Sequence, residues 1–168
     1  MSKKRVVLIA VLSVAACLTL FAFWYKYTYS MDVAEEYEVN RSMERKLLIA
    51  SQSSAFKNEV TKNIISFFEK EPLHIKVIDI SSLDTIRTAD YDAILLIHTW
   101  ENWKPPKPIE KYLNKESASI DKIVVITTSG NGTSKMEEID AITGESSLEN
   151  VENISKRAIN KLKPLLGY

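Results

Sequence analysis

The hydrophobic pattern of this chain divides it into an apolar run, a polar stretch and a region of alternating short periods. Residues 6–25 (VVLIAVLSVAACLTLFAFWY) carry no charge. As a helix rising about 1.5 Å per residue, such a run crosses the roughly 30 Å hydrocarbon core of a bilayer. Residues 26–43 are polar with scattered apolar positions and read as a juxtamembrane stalk. From residue 44 onward, short apolar runs alternate with stripes of helical period. The runs 46–50 (KLLIA), 75–80 (IKVIDI), 92–98 (DAILLIH) and 122–127 (KIVVIT) predict strands. The nearly continuous apolar character of 92–98 is that of a central parallel strand buried on both faces. Phe56, Val60, Ile64, Phe67 and Phe68 fall on one face of a helix over 56–70. Pro105, Pro106 and Pro108 open a further helix at 109–113, since proline suits a first turn. Leu148, Val151, Ile154, Ala158, Ile159, Leu162 and Leu165 form the stripe of a long C-terminal helix, with Ser146 and Glu149 at capping-box spacing. Residues 139–142 either form a short edge strand or belong to an abbreviated connection.

Strands alternating with helices predict an α/β domain built on a doubly wound parallel sheet. The expected organisation is a basic tail at 1–5, a transmembrane helix at 6–25, a stalk at 26–43 and one domain at 44–168. In such sheets ligands bind beyond the C-terminal ends of the strands, where the strand order reverses. Three segments fall there: 51–55, 99–103 and 128–132.

Charge orients the anchor. Lys3, Lys4 and Arg5 precede the apolar run, and only Lys26 follows it before Asp32, Glu35, Glu36 and Glu38. This asymmetry predicts a cytoplasmic N-terminus, one crossing of the cell membrane and an extracytoplasmic domain. Phe21, Phe23, Trp24, Tyr25, Tyr27 and Tyr29 crowd the far end, as interfacial anchors do. A cleaved secretory signal would carry a shorter core of about 7–15 residues and a small-residue cleavage site. Val14-Ala15-Ala16-Cys17 has the pattern of a bacterial lipobox, which would replace the helix by acyl chains at Cys17. Against that, Leu18 to Tyr25 stays apolar. The first thirty residues hold four of the 22 basic residues and no acid, which leaves 18 basic against 22 acidic residues, a net of −4. That balance argues against a nucleic-acid partner. Cys17 is the only cysteine, so the domain has no disulfide and no thiol nucleophile. The two histidines, His74 and His98, are not clustered with other ligands, so no metal site is expected.

Three stretches together resemble the flavodoxin-like family. KLLIASQSSAFKNEV is similar to its first strand, phosphate loop and first helix. DAILLIHTWENWKPPKPIEKYL resembles its third strand, an aromatic loop and a proline-led helix, and KIVVITTSGNG resembles its fourth strand and glycine-containing loop. The resemblance covers roughly residues 46–133. It implies strand order 2-1-3-4 with a possible short fifth strand, and non-covalent FMN serving electron transfer or the reduction of a small molecule. A redox partner protein or a quinone is the implied counterpart. Ser51, Ser53 and Ser54 would hold the phosphate, where hydroxyls and free N–H groups at a helix N-terminus suit an anion. Capping of the helix by Ser53 or Ser54 explains the same residues. Trp100 or Trp103, in the loop Thr99, Trp100, Glu101, Asn102, Trp103, would stack on the flavin ring. The same tryptophans equally serve packing or an interface. Thr128, Ser129, Gly130, Asn131 and Gly132 would meet the pyrimidine edge, or simply make a tight turn.

The chain also departs from that family. The first loop has no glycine, Phe56 is bulky, and Lys57 adds a charge. Only residues 129–146 separate the fourth strand from the last helix. Thr143-Gly144-Glu145-Ser146 faintly resembles the attachment motif of covalent-FMN proteins, a pattern that Glu145 and Leu148 break. Two functions follow: an anchored flavoprotein that needs no catalytic side chain, or a cofactor-less module whose loops bind a partner at the membrane surface. The position of Phe56 discriminates between them. In the phosphate position its ring would close the cradle; turned into the core, it would leave the cradle open. A hydrolase is disfavoured, because no nucleophile elbow or triad is present.

Overall fold

The computed structural model describes residues 3–29 and 31–168, and it divides into two compact units, residues 1–31 and 32–168. The first is a single helix, α1 (Lys3–Tyr29). Its stretch Lys3–Trp24 is long and apolar enough to cross a membrane, a property that signal sequences share. Its apolar side chains, from Val6 to Trp24, are exposed within the chain, as are the sulfur of Cys17 and the ring of Phe23. The hydroxyl of Thr19 is returned to the Ala15 carbonyl at 2.8 Å, so that side chain offers little polarity to its surroundings. The side chains of Tyr25, Tyr27 and Tyr29, expected at an interface, lie outside the described residues.

The second unit is a six-stranded sheet in the order β1-β3-β2-β4-β5-β6. Its strands are β1 (Tyr37–Val39), β2 (Arg45–Ser51), β3 (Leu73–Asp79), β4 (Ala93–Thr99), β5 (Ile123–Thr128) and β6 (Ile142–Gly144). All pairings are parallel except that of β1 with β3. Helices α2 (Ala55–Phe68) and α4 (Val151–Leu165) share one core with Leu47, Ile49, Leu95, Ile97 and Ile126. Helix α3 (Lys107–Lys115) covers the other face, where Ile109, Tyr112 and Leu113 meet Leu48, Ala50, Ile94 and Leu96. With both faces covered, every side chain from Ala93 to His98 is buried, which is why this segment reads as an unbroken apolar run. On α2, Phe56, Val60, Ile64 and Phe68 turn inward. Burial of each contributes roughly 1.5–3 kcal/mol.

The α/β class agrees with the sequence pattern, and the parallel order β3-β2-β4-β5 with a short fifth parallel strand agrees with what the family resemblance implies. Three details differ. The compact unit begins at Asp32 rather than at residue 44. Residues 32–36 form a strap: Asp32 bridges Ser53, and the Ala34 amide donates to Asp79 Oδ2 at 2.8 Å. The segment expected to be stalk then continues into β1. The fifth parallel strand lies at Ile142–Gly144 rather than 139–142, because Ile139 and Ala141 pack against the α3-side core. The spacing of Ser146 and Glu149 does not form a capping box. Instead Ser147 Oγ accepts from the Glu149 amide at 3.4 Å and starts a short 3-10 turn ahead of α4.

Candidate functional site

The C-terminal ends of β2, β4 and β5 lie side by side, and backbone bonds extend the ladder past them. The Gln52 amide donates to the Ile97 carbonyl at 3.2 Å, Trp100 to Thr128 at 2.7 Å and Ser129 to Gly144 at 3.2 Å. The loops 51–55, 99–103 and 128–132 therefore leave the sheet from one edge.

The first loop ends at the N-terminus of α2. Ser54 caps that helix, its hydroxyl accepting from the Lys57 amide at 3.3 Å. The N–H groups of Ala55 and Phe56 lie in the first turn, where a helix supplies no acceptor of its own. Ser53 pairs with Asn58 through its hydroxyl at 3.2 Å and gives its amide to the Asp32 carbonyl at 2.9 Å. The ring of Phe56 is 2% exposed and sits in the core, so it does not fill the loop. Ser51 is buried, donates to the Gln52 carbonyl at 2.7 Å, and with Ser53 lines a cavity of about 380 Å³ between the strap and α2.

The second loop is a tight hairpin. Glu101 and Lys104 exchange backbone bonds at 2.9 and 3.1 Å. Between them Asn102 and Trp103 both take positive φ, 48° and 59°. Asparagine tolerates that conformation, whereas tryptophan adopts it at a cost. The Trp103 side chain is 92% exposed, and Trp100 is half-buried. In the third loop, Asn131 Oδ1 accepts from Ser129, Ser134 and the Thr133 amide. Gly132 has φ 66°, and a Cβ there would meet Glu145 at 3.1 Å. Gly130 faces open space.

The loops are joined beneath this edge by polar groups. Gln52 accepts from the Thr99 amide and donates to Glu101 Oε1, both at 2.8 Å. The side chain of Lys57 is fully buried and donates to Thr99 Oγ1 at 2.7 Å, and that hydroxyl lies 3.0 Å from Thr128 Oγ1. Burial lowers the Lys57 ammonium to about 8, and the Glu101 carboxylate partly opposes that shift. His98 is buried between the Thr127 hydroxyl, 3.0 Å from Nε2, and the Thr99 carbonyl, 3.3 Å from Nδ1. Burial, and to a lesser extent the charge of Lys57, push it down to about 4, despite the bond to the Thr99 backbone. His98 is therefore a neutral structural group near pH 7.

The structure thus joins Thr99, Glu101 and Thr128 through Gln52 and Lys57, and it places Ser53 and Ser54 at the helix N-terminus beside them. It leaves Asn102, Trp103 and Gly130 at the surface and closes Ser129, Asn131 and Gly132 into their own turn. Gln52 is the residue that the sequence pattern did not single out. Its only local signal is a polar side chain at the end of a buried strand. Among the described residues, no group of three or more His, Cys, Asp or Glu side chains is placed to hold a metal ion.

No family model matches the chain, and no curated protein does. Among solved structures, the Flv1 flavodiiron core from Synechocystis sp. PCC6803 is similar over 75% of this chain, with TM-score 0.58 and 11% identity. This chain spans 37% of that one. The fold is flavodoxin-like. A flavodoxin from the domain Archaea (15% identity, TM-score 0.49) and flavodoxin 2 from Bacillus cereus (20%, 0.48) are each similar over 71% of this chain and 98% and 99% of their own. In this flavodoxin-like sheet, β1 and the strap add a margin outside β3, and the three loops occupy the edge where α/β folds bind ligands.

Proposed function

We propose that this chain is a membrane-anchored flavodoxin-like module that binds FMN without a covalent link and transfers electrons to a protein partner or a quinone. The observation that carries this reading is Trp103, a large aromatic held 92% exposed on a positive-φ turn at the edge of the sheet. A side chain kept in a costly backbone conformation and in water points to a function outside the fold's own packing.

The donor set suits a phosphorylated flavin. The phosphate would meet the hydroxyls of Ser53 and Ser54 and the first-turn N–H groups of Ala55 and Phe56, with the helix dipole favouring an anion. The core position of Phe56 leaves that cradle open. The ring would lie against Trp103, with Trp100 beside it and the open flank of Gly130 opposite. Bound there, the flavin supplies the electron transfer, while the chain orients it and sets its electrostatic surroundings. Thr99, Glu101, Asn102, Thr128, Ser129, Asn131 and Gly132 would frame the site, whereas Ser51 belongs to its foundation. The helix at residues 3–24 supports a single membrane crossing. The basic cluster before it supports an extracytoplasmic domain.

The test is thermal unfolding of the full chain in neutral detergent with and without FMN. At a hundredfold excess over Kd, binding adds about 2.7 kcal/mol. For a chain of this size that raises Tm by roughly 5–11 °C. A shift with quenched flavin fluorescence supports the reading, and a folded chain with neither sinks it. Two observations favour the second reading, a cofactor-less interaction module: the Asp32 carbonyl already takes the Ser53 amide, and Gln52 ties the first two loops to each other. That reading predicts no shift.

A further inference from the structure

We propose that the cavity between the strap and α2 binds a linear aliphatic polyamine. The cavity measures about 380 Å³. At ~30 Å³ per water that is on the order of a dozen water volumes, room for an alkyl chain with two or three ammonium groups. Its lining includes Ser51 and Ser53 of the first loop, so it adjoins the phosphate end of the proposed flavin site, but none of residues 99–103 or 128–132.

The floor combines two kinds of surface. Ala34 and Val77 supply small apolar walls for methylene groups, and both are buried. The lining also includes Thr61, which is 5% exposed and whose hydroxyl has no hydrogen-bond partner among the described residues. A buried hydroxyl without a partner is costly, and an ammonium donor would satisfy its oxygen.

The rim is acidic. Glu35 and Glu59 line it against one cation, Lys62, which already pairs with Glu59 at 3.6 Å. Among the described residues Glu35 makes no ion pair. The rim also carries the ring of Tyr37, whose phenol is held above its ordinary value by burial and then by Glu35, so it stays neutral. An aromatic face beside a carboxylate attracts an alkylammonium through charge and cation–π contact together. A carboxylate ligand at the rim would meet Glu35 and Glu59, and a neutral ligand would leave Glu35 unused.

The experiment is calorimetric titration of the full chain in neutral detergent with spermidine, with 1,8-octanediol as the uncharged control. Saturable one-to-one binding of spermidine and none of the diol is expected. Glu35→Gln, at an exposed position, should weaken it roughly tenfold, as loss of a charge-assisted bond does. Thr61→Val, checked for folding by its Tm, should weaken it as well. Absence of saturable spermidine binding overturns the proposal. So does binding unchanged in both variants, which would mark diffuse attraction to the surface, and so does equal binding of the diol.

Discussion

The ammonium of Lys57 lies 2.7 Å from the hydroxyl of Thr99, a contact between residues 42 positions apart in sequence. Lys57 sits in the first turn of α2, and helical side chains lean toward the helix N-terminus. Its stem therefore runs back to the strand ends and delivers a charge where the three loops meet. A fully buried lysine is rare because desolvation penalises its charge. Here the hydroxyl of Thr99 and the nearby Glu101 make the position tolerable.

That burial gives stability a pH dependence with a fixed sign. Lys57 titrates at about 8 in the folded chain, against the ordinary 10.5. Between those values the unfolded chain binds the extra proton, so stability rises with pH through the window. The gain is on the order of 3 kcal/mol. Lys57→Met should remove this component and be no less stable than the parent at pH 7. Denaturant unfolding of both chains at pH 7, 8, 9 and 10 checks it. A constant difference between the two across that range would contradict the burial of the charge.

Trp103→Gly separates strain from function. Glycine accepts positive φ without the Cβ clash, so the hairpin should gain about 1 kcal/mol. If the ring stacks on flavin, the same change weakens FMN binding several-fold, since such contacts contribute about 0.5–1.5 kcal/mol. Thermal unfolding reads the first effect and flavin titration the second. Higher stability with unaltered FMN affinity would remove Trp103 from the site.

The elements legible in the sequence are those whose side chains see apolar surroundings on two faces. Ile94, Leu95, Leu96 and Ile97 announce a central strand because α3 and α4 cover opposite sides of it. Strand β1 announces nothing. It has three residues, and its middle one, Glu38, is half-buried and meets Arg41 at 2.9 Å and the half-buried His74 at 3.3 Å. The strap is held by backbone amides that no side-chain pattern marks, chiefly Ala34 to Asp79 and Ser53 to Asp32. At the site, the hydroxyls and tryptophans stood out by type. Their roles did not, because the inward turn of Ser51 and the clasp from Gln52 to Glu101, 49 positions away, exist only after folding.

His98 should govern stability on the acid side. It titrates at about 4 when folded, against 6.5 ordinarily, because burial disfavours its charge. Between those values the unfolded chain binds more protons, so stability falls as pH drops from 6.5 toward 4. In His98→Gln the loss between pH 6.5 and 5 should flatten, leaving the carboxylates to act lower down. Unfolding midpoints at pH 5.0, 5.75 and 6.5 for both chains measure it, and parallel curves would refute it.

The strap depends on Asp79. Its Oδ2 accepts from the Ala34 amide at 2.8 Å, while Oδ1 takes the Ser81 amide at 2.9 Å and the Ser81 hydroxyl at 2.6 Å. Removing the carboxylate in Asp79→Ala leaves these donors without an acceptor at a nearly buried position, at a cost of about 1–3 kcal/mol. The strap, still tied by the Asp32 bridge to Ser53 and by Glu36 Oε1, which accepts from the Asp79 amide and the Ser82 hydroxyl, should then loosen first. Hydrogen exchange at the Ala34 and Ser53 amides would accelerate well beyond that of β2 and β4. Asp79→Asn keeps an acceptor and should fall between the two. Because the strap forms one wall of the cavity beside α2, Asp79→Ala should also weaken spermidine binding while leaving Trp103 as exposed as before. Uniform acceleration of exchange across all strands would instead show that Asp79 supports the whole sheet.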